Sequence, residues 1–187
     1  RDPETGDRIP QGTANRLAML GSGYIELLCE AGDVVAPVVE DLRARIERYE
    51  GVHLLAFSDP DADTAYKRIS DDGFRLQPMV NLRRDVEAED GTQDEVKFSV
   101  IRAAFDEIPE GRIQALTHHT PELMWQDRYL ARDNGITGMV DGVVCVENPV
   151  QSAERMARLL SQKVVVVDDH ECAVVCGRGG LRFVTQN

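Results

Sequence analysis

Glu26 is an acidic side chain inside an otherwise apolar run, Tyr24-Ile25-Glu26-Leu27-Leu28. Side chains alternate between the two faces of a strand, so Tyr24, Glu26 and Leu28 are expected on one face and Ile25 and Leu27 on the other. A carboxylate among apolar neighbours needs a hydrogen-bonding partner, a metal ion or a substrate. Glu26 is therefore the first candidate functional residue.

Histidines offer a second kind of chemistry. His118 and His119 end a predicted strand and open the segment His-His-Thr-Pro-Glu-Leu-Met-Trp, which closes at Trp125. An imidazole can serve as a metal ligand or carry a proton near neutral pH. Because neighbours in a strand face opposite sides, His119 is expected to face away from the side that His118 faces, in a structural or exposed position.

Three stretches together resemble one known family. They are residues 12–16 (Gly-Thr-Ala-Asn-Arg) with residues 23–28 (Gly-Tyr-Ile-Glu-Leu-Leu), residues 118–125, and the Asn134-Gly135 turn. This pattern resembles the glyoxalase-like domain of the vicinal oxygen chelate superfamily, which includes the glyoxalase, bleomycin-resistance and dioxygenase proteins. That superfamily hosts dioxygenases, isomerases, lyases, thiol transferases and plain binding proteins, so the resemblance implies a fold more specifically than a reaction.

The resemblance also implies a divalent-metal site whose ligands come from the first and last strands of paired modules. It assigns Glu26 and His118 as ligands. His53 is the candidate from the first strand of the second module, although the position count along that strand places Val52 inward instead. A carboxylate and an imidazole with open positions would suit Fe, Mn, Zn or Ni, with water or substrate completing the coordination.

Two other interpretations of this pair remain open. Without a metal, Glu26 and His118 could act as general base and orienting acid. They could also bond each other, or nearby backbone, and only hold the barrel closed. Tyr24, Arg16 and Trp125 are candidate substrate contacts. The expected function is an enzyme of lyase, isomerase or dioxygenase type that acts on a small oxygen-rich molecule; the alternative is a metal-free protein that binds and sequesters a small molecule.

The order of the predicted elements shows a weak internal repeat. A unit of strand, Asp-Pro or Asn-Pro, helix and three strands occurs twice, beginning near Val52 and near Gly142. An earlier helix is predicted to open at Asp33, a residue type that favours the N-cap, and to end at Gly51. The predicted strands are residues 14–20, 23–30, 52–57, 76–86, 95–105, 112–119, 142–146, 164–167, 173–176 and 181–185.

This pattern predicts an α+β fold. The resemblance implies βαβββ modules whose curled mixed, mostly antiparallel sheets form a half-open barrel with helices on the outer face. Residues 1–135 are expected to form paired modules, the first of them lacking its opening strand and helix. Residues 136–187 are expected to form a third module.

Composition limits the expected partners. The chain has 187 residues, 42% of them hydrophobic, and a formal net charge of -12. This charge argues against nucleic acid and anionic membrane surfaces but does not identify a partner. The resemblance implies a small-molecule substrate. No apolar run approaches the roughly 18–20 residues of a membrane-spanning helix, and a cytoplasmic location is predicted. The missing first strand would leave a free sheet edge, so a homodimer is predicted.

Overall fold

The computed structural model describes residues 12–104, 106–130 and 133–185. Within these residues, ten strands form three sheets that do not close into a complete barrel, together with four α-helices. The elements are β1 (Thr13–Met19), β2 (Tyr24–Glu30), α1 (Pro37–Arg48), β3 (Leu54–Ser58), α2 (Ala62–Asp71), β4 (Val80–Glu87), β5 (Gln93–Arg102), β6 (Arg112–His118), α3 (Pro121–Met124), a 3-10 turn (Asp127–Tyr129), β7 (Asp141–Cys145), α4 (Pro149–Leu160), β8 (Val164–Asp168), β9 (Glu171–Cys176) and β10 (Gly179–Val184).

Strands β1 and β2 form the predicted hairpin. Their antiparallel pairing runs from Thr13 opposite Glu30 to Met19 opposite Tyr24. The turn is closed by the Leu20 amide, which donates to the Gly23 carbonyl at 3.1 Å. Gly23 has a φ of 86°, a conformation that side chains with a Cβ rarely adopt. The hairpin carries Tyr24 and Glu26 on one face.

Helix α1 begins later than the sequence predicts. Asp33 does not cap it; the helix starts at Pro37, and Ala36 is extended with φ -144° and ψ 148°. A residue that precedes proline is disfavoured in helical conformation, and proline at the first helical position lacks only an N–H that would have no partner in the helix. The proline therefore overrides the N-cap preference of Asp33.

The predicted internal repeat is confirmed. Two βαβββ modules have the same strand order, β3-β6-β5-β4 and β7-β10-β9-β8. In each module the first and last strands pair in parallel and the remaining pairs are antiparallel. Their helices begin alike, because the Asp61 side chain accepts from the Thr64 amide at 2.7 Å and the Asn148 side chain accepts from the Gln151 amide at 3.0 Å. The predicted α+β architecture is thus observed.

One hydrophobic core draws on both modules. Helix α2 packs on β5 and β6, helix α4 packs on its own sheet, and the two helices contact each other. An Arg68 guanidinium nitrogen also donates to the Leu159 carbonyl at 2.9 Å, which ties the helices together. The predicted boundary after residue 135 stays a prediction. The most deeply buried members of the core are Ala65, Ile69, Ala153, Met156, Cys172, Val174, Leu181 and Phe183.

The register of β5 and β6 separates two faces of the first complete sheet. Phe98 lies opposite His118, and Ser99 lies opposite Thr117. The buried Ile101 and Ile113 lie on the Ser99 face, in the core with α2. His118 therefore projects from the face away from α2. Separately, none of the described helices is long and apolar enough to cross a membrane.

Candidate functional site

A cleft of about 550 Å³ opens beside His118. Residues from all three sheets or their turns line it, so the fold assembles it from parts that are distant in sequence. The lining residues are Gly21 from the β1–β2 turn, Ser58 at the end of β3, Asp59 and Pro60 after it, His118, Pro121, Glu122, Trp125 and Leu130 from the end of β6 and the connector, and Arg178 from the β9–β10 turn. The lining therefore combines an imidazole, an indole, two carboxylates and a guanidinium.

Aromatic rings surround His118. Its ring centroid lies 5.0 Å from that of Trp125, edge to face, and 6.2 Å from those of Tyr24 and Phe98. Tyr24 and Trp125 also contact each other, with centroids 6.1 Å apart. We call these four residues the His118 cluster. The packing fixes the position of the imidazole between the hairpin and the connector.

The imidazole of His118 is held in its neutral form. Burial lowers the pKa of His118 below its ordinary value of 6.5, and the charge of His119 lowers it further. Within the described part of the chain, no protein group hydrogen-bonds to either ring nitrogen of His118. A half-buried, neutral imidazole at the wall of a cleft can accept a hydrogen bond or a proton from a bound molecule.

Tyr24 contacts the ring of His118 and lies on the same face of β2 as Glu26. Burial, and secondarily the charge of Glu26, raises the pKa of Tyr24 to about 12, so the phenol keeps its proton at neutral pH. The exposed Glu26 accepts a hydrogen bond from the Asn15 side-chain amide at 2.5 Å. Glu26 and His118, both of them described, form no hydrogen bond with each other, and Glu26 does not line the cleft.

The remaining predicted site residues lie apart from the cleft. Arg16 pairs with Leu27 across the hairpin, so it projects from the face opposite Tyr24. His53 precedes β3 and stacks on Tyr49, with ring centroids 4.3 Å apart. Parallel pairing places the start of β3 beside Arg112, at the opposite end of β6 from His118. The structure thus brings together Tyr24, His118 and Trp125, but not Arg16 or His53.

The donor set of the described residues does not fit a divalent metal. No group of three or more His, Cys, Asp or Glu side chains converges anywhere in the described ranges. In the cleft, Asp59 is already occupied, because its carboxylate pairs with Arg68 at 3.1 Å and accepts from the Asp61 amide at 3.2 Å. The predicted metal stays a prediction that elemental analysis of the purified protein tests, and no chemical step below uses it.

His119 is engaged on the α2 side of the sheet. Its Nε2 lies 2.7 Å from the hydroxyl of the buried Ser99, which donates to the Asn81 side-chain oxygen at 2.6 Å. The Ser99 hydroxyl has one proton, and it donates that proton to Asn81. It therefore accepts a hydrogen bond from the N–H at Nε2 of His119. His119 therefore stabilises the sheet, and it serves below as a control for His118.

Three charged cleft residues were not identified from the sequence: Asp59, Glu122 and Arg178. Asp59 follows a strand in an Asp-Pro pair, and Glu122 lies inside the segment that begins at His118. Both positions could therefore have been named as site candidates from the sequence. Arg178 lies in Gly177-Arg178-Gly179-Gly180, and no feature of the sequence places that turn near His118. Only the fold brings that turn to the cleft.

Comparisons with known proteins agree with this architecture. A protein-family model described as a glyoxalase-like domain matches residues 2–160. Among solved structures, a hypothetical protein from Staphylococcus aureus is 15% identical, with the match covering 94% of this chain and 73% of that one at a TM-score of 0.72. This likeness shows a shared fold.

A glyoxalase family protein from Bacillus cereus is also 15% identical, over 73% of this chain and 94% of that one. Its TM-score of 0.36 is too low to support an argument about fold. A search of curated proteins returns no match.

Proposed function

The chain belongs to the glyoxalase-like domain family, and from this premise we propose that it binds a small, oxygen-bearing organic molecule in the cleft and that His118 accepts a proton from it. The observation that carries the proposal is the neutral imidazole of His118, which has no hydrogen-bonding partner among the described residues and lines a cleft with polar side chains at its wall. A small-molecule site of this kind combines apolar walls with a few polar groups that fix orientation.

The proposed chemistry is general base catalysis. His118 takes the proton from a carbon next to a carbonyl group of the substrate, and the electron pair of that C–H bond shifts onto the carbonyl oxygen. The ring of Tyr24, which does not line the cleft, packs on the imidazole with centroids 6.2 Å apart and helps to hold His118 in place. Arg178 supplies positive charge to an anionic group of the substrate, and the Trp125 indole packs on its apolar part. This sequence of steps is of lyase or isomerase type.

A second candidate is a protein that binds and sequesters a small molecule without turning it over. One specific observation favours it: Glu26, the carboxylate predicted to act with His118, is bonded to Asn15 and lies outside the cleft. The two candidates differ in turnover and agree on where the molecule binds.

The proposal is tested by screening small oxo and hydroxy acids for binding and then for turnover. We expect hits whose binding raises the melting temperature of the protein, with weaker stabilisation of a Trp125→Ala variant. A turned-over hit supports the enzyme, and a bound but unchanged hit supports sequestration. Hits that stabilise the Trp125→Ala variant as much as the unaltered protein would contradict the location of the site.

We also infer that two copies pair through the β1–β2 hairpin. This sheet has only two strands among the described residues, and the Leu27 side chain is 67% exposed on the face opposite Tyr24. A free strand edge beside exposed apolar side chains favours pairing with another strand. We also propose that the protein is located in the cytoplasm.

Replacing Leu27 with glutamate is expected to convert the homodimer to monomer, because a buried, unpaired charge at the contact is unfavourable. Light scattering over a range of concentrations measures this. Val52→Glu is the matched control, since Val52 is 70% exposed and lies in the connection between α1 and β3, outside the hairpin strands. An unaltered protein that is monomeric at every concentration, or a Leu27→Glu variant that remains dimeric, would contradict the inference.

A further inference from the structure

Two arginines and a glutamine lie together on the sheet face that carries His118. Arg102, at the end of β5, pairs directly with Gln114 of β6, and its Nε donates to the Gln114 side-chain oxygen at 3.4 Å. Arg112 precedes Gln114 by two residues, so it projects from the same face. Both guanidinium groups are half-buried. The sheet therefore holds two positive charges side by side in a partly desolvated position.

A third arginine, Arg45 of α1, adds to this cluster. Burial is the main cause that lowers the pKa of Arg102 and of Arg112, and the charge of Arg45 lowers both further. Asp41 raises the pKa of Arg112, but this carboxylate already pairs with Arg45. We call Arg45, Arg102 and Arg112 the arginine cluster. Among the described residues, Asp41 is thus shared between Arg45 and Arg112.

The charge of the arginine cluster is not balanced within the described residues. Neither Arg102 nor Arg112 forms an ion pair with any described carboxylate, although the chain as a whole has a net charge of -12. Elsewhere its arginines commonly have acidic partners, as Arg43 has Glu30, Arg155 has Glu110 and Arg182 has Glu171. Like charges that are partly buried without a counter-charge lower stability unless an anion joins them.

We propose that Arg102 and Arg112, with Arg45, form a binding site for the carboxylate or phosphate group of an anionic ligand. Guanidinium groups match both kinds of oxyanion with two parallel N–H···O bonds, and Gln114 holds the Nε of Arg102 in place. Gln114 precedes His118 by four residues of β6, a distance of about 13 Å. The site therefore lies on the same sheet face as the His118 cluster but is separate from it.

The test measures melting temperature of the full chain in phosphate and in malonate, each against chloride at equal ionic strength. Constant ionic strength removes general screening effects. We expect at least one of the two anions to raise the melting temperature above that in chloride. Stabilisation by phosphate alone, by malonate alone or by both supports the site and identifies the preferred oxyanion. Stabilisation by neither would overturn the proposal.

Variants locate the effect. Arg102→Gln and Arg112→Gln are each expected to weaken the apparent affinity for the anion about tenfold or more. Arg83→Gln removes the same charge from a side chain that is 69% exposed, and should respond as the unaltered protein does. In chloride, Arg112→Gln should melt at the same temperature as the unaltered protein or higher, because one of the crowded charges is gone.

Two results would overturn the proposal at this stage. One is an anion response of Arg102→Gln and Arg112→Gln equal to that of the unaltered protein. The other is a large drop in the melting temperature of Arg112→Gln in chloride, because that arginine would then be holding the fold. His118→Gln should keep the full anion response, so this proposal and the proposed function can fail separately.

Discussion

Replacing His118 with glutamine is expected to lower turnover of a substrate bound in the cleft by about 10²–10⁴-fold, the usual contribution of a general base. Glutamine keeps a hydrogen-bonding group of similar reach but cannot take up a proton at neutral pH. Binding should weaken much less than turnover, because Trp125, Arg178 and the other cleft residues are unchanged. Steady-state kinetics and circular dichroism together measure the loss and confirm that the variant is folded.

The pH dependence of the unaltered protein provides a second readout of the same prediction. Burial and His119 lower the pKa of His118, so the imidazole is neutral at pH 7 and becomes protonated only below its ordinary value of 6.5. We therefore expect kcat/KM to be constant near neutral pH and to fall only as the pH drops below about 6.5. An acidic limb centred well above that value would contradict the role of His118.

His119→Gln is the matched control. His119 is the next residue in the chain but lies on the α2 side of the sheet, bonded to Ser99. Its replacement should reduce stability and leave turnover nearly unchanged. Glu26→Gln is a useful companion variant, because Glu26 is exposed and bonded to Asn15. A loss of turnover in Glu26→Gln as large as in His118→Gln would restore the originally predicted pair as the catalytic groups.

Replacing Phe183 with alanine is expected to destabilise the fold by about 3–5 kcal/mol, the usual effect of deleting a buried phenylalanine ring. Phe183 is 0% exposed on β10 and belongs to the core that also contains Ile69 of α2. Because that core draws on both modules, they should unfold together in one transition. Urea unfolding followed by circular dichroism and by tryptophan fluorescence measures both the size and the coincidence of the change.

Val175→Ala is the control for Phe183→Ala. Val175 lies on β9 of the same sheet and is 60% exposed, so its truncation should change stability by only about 0.5 kcal/mol. Two separate unfolding transitions in the unaltered protein would contradict the shared core and would favour an independent third module. A small loss of stability in Phe183→Ala would contradict the described packing directly.

The repeat could be predicted because the same sequence feature marks the start of the helix in each unit. An Asp-Pro or Asn-Pro pair follows a short apolar strand in both modules, and the acid or amide nearby caps the helix, as Asp61 and Asn148 do. The start of α1 could not be predicted in the same way. Asp33 and Pro37 both signal a helix start, and the restriction that Pro37 places on Ala36 outweighs the N-cap preference of Asp33.

The site was predictable only where its residues lie in the segments that carry the family resemblance. His118 and Trp125 belong to one segment, and Tyr24 lies in the other segment that carried the family resemblance. Arg178 reaches the cleft because of the way the second complete module packs. No local sequence pattern predicts that packing. The same limit applies to Glu26: its strand face was predicted, but its bond to Asn15 follows from the hairpin register.

Nuclear magnetic resonance of isotope-labelled histidine tests whether His118 is a neutral imidazole that a bound molecule contacts. The chain has four histidines, and His118→Gln assigns the His118 signals by their disappearance. We expect the pKa of His118 to lie below 6.5 in the free protein, and compounds that stabilise the protein to shift the His118 signals selectively. Compounds that bind while the His118 signals stay in place, or a His118 pKa above 6.5, would contradict the assignment of the cleft as the functional site.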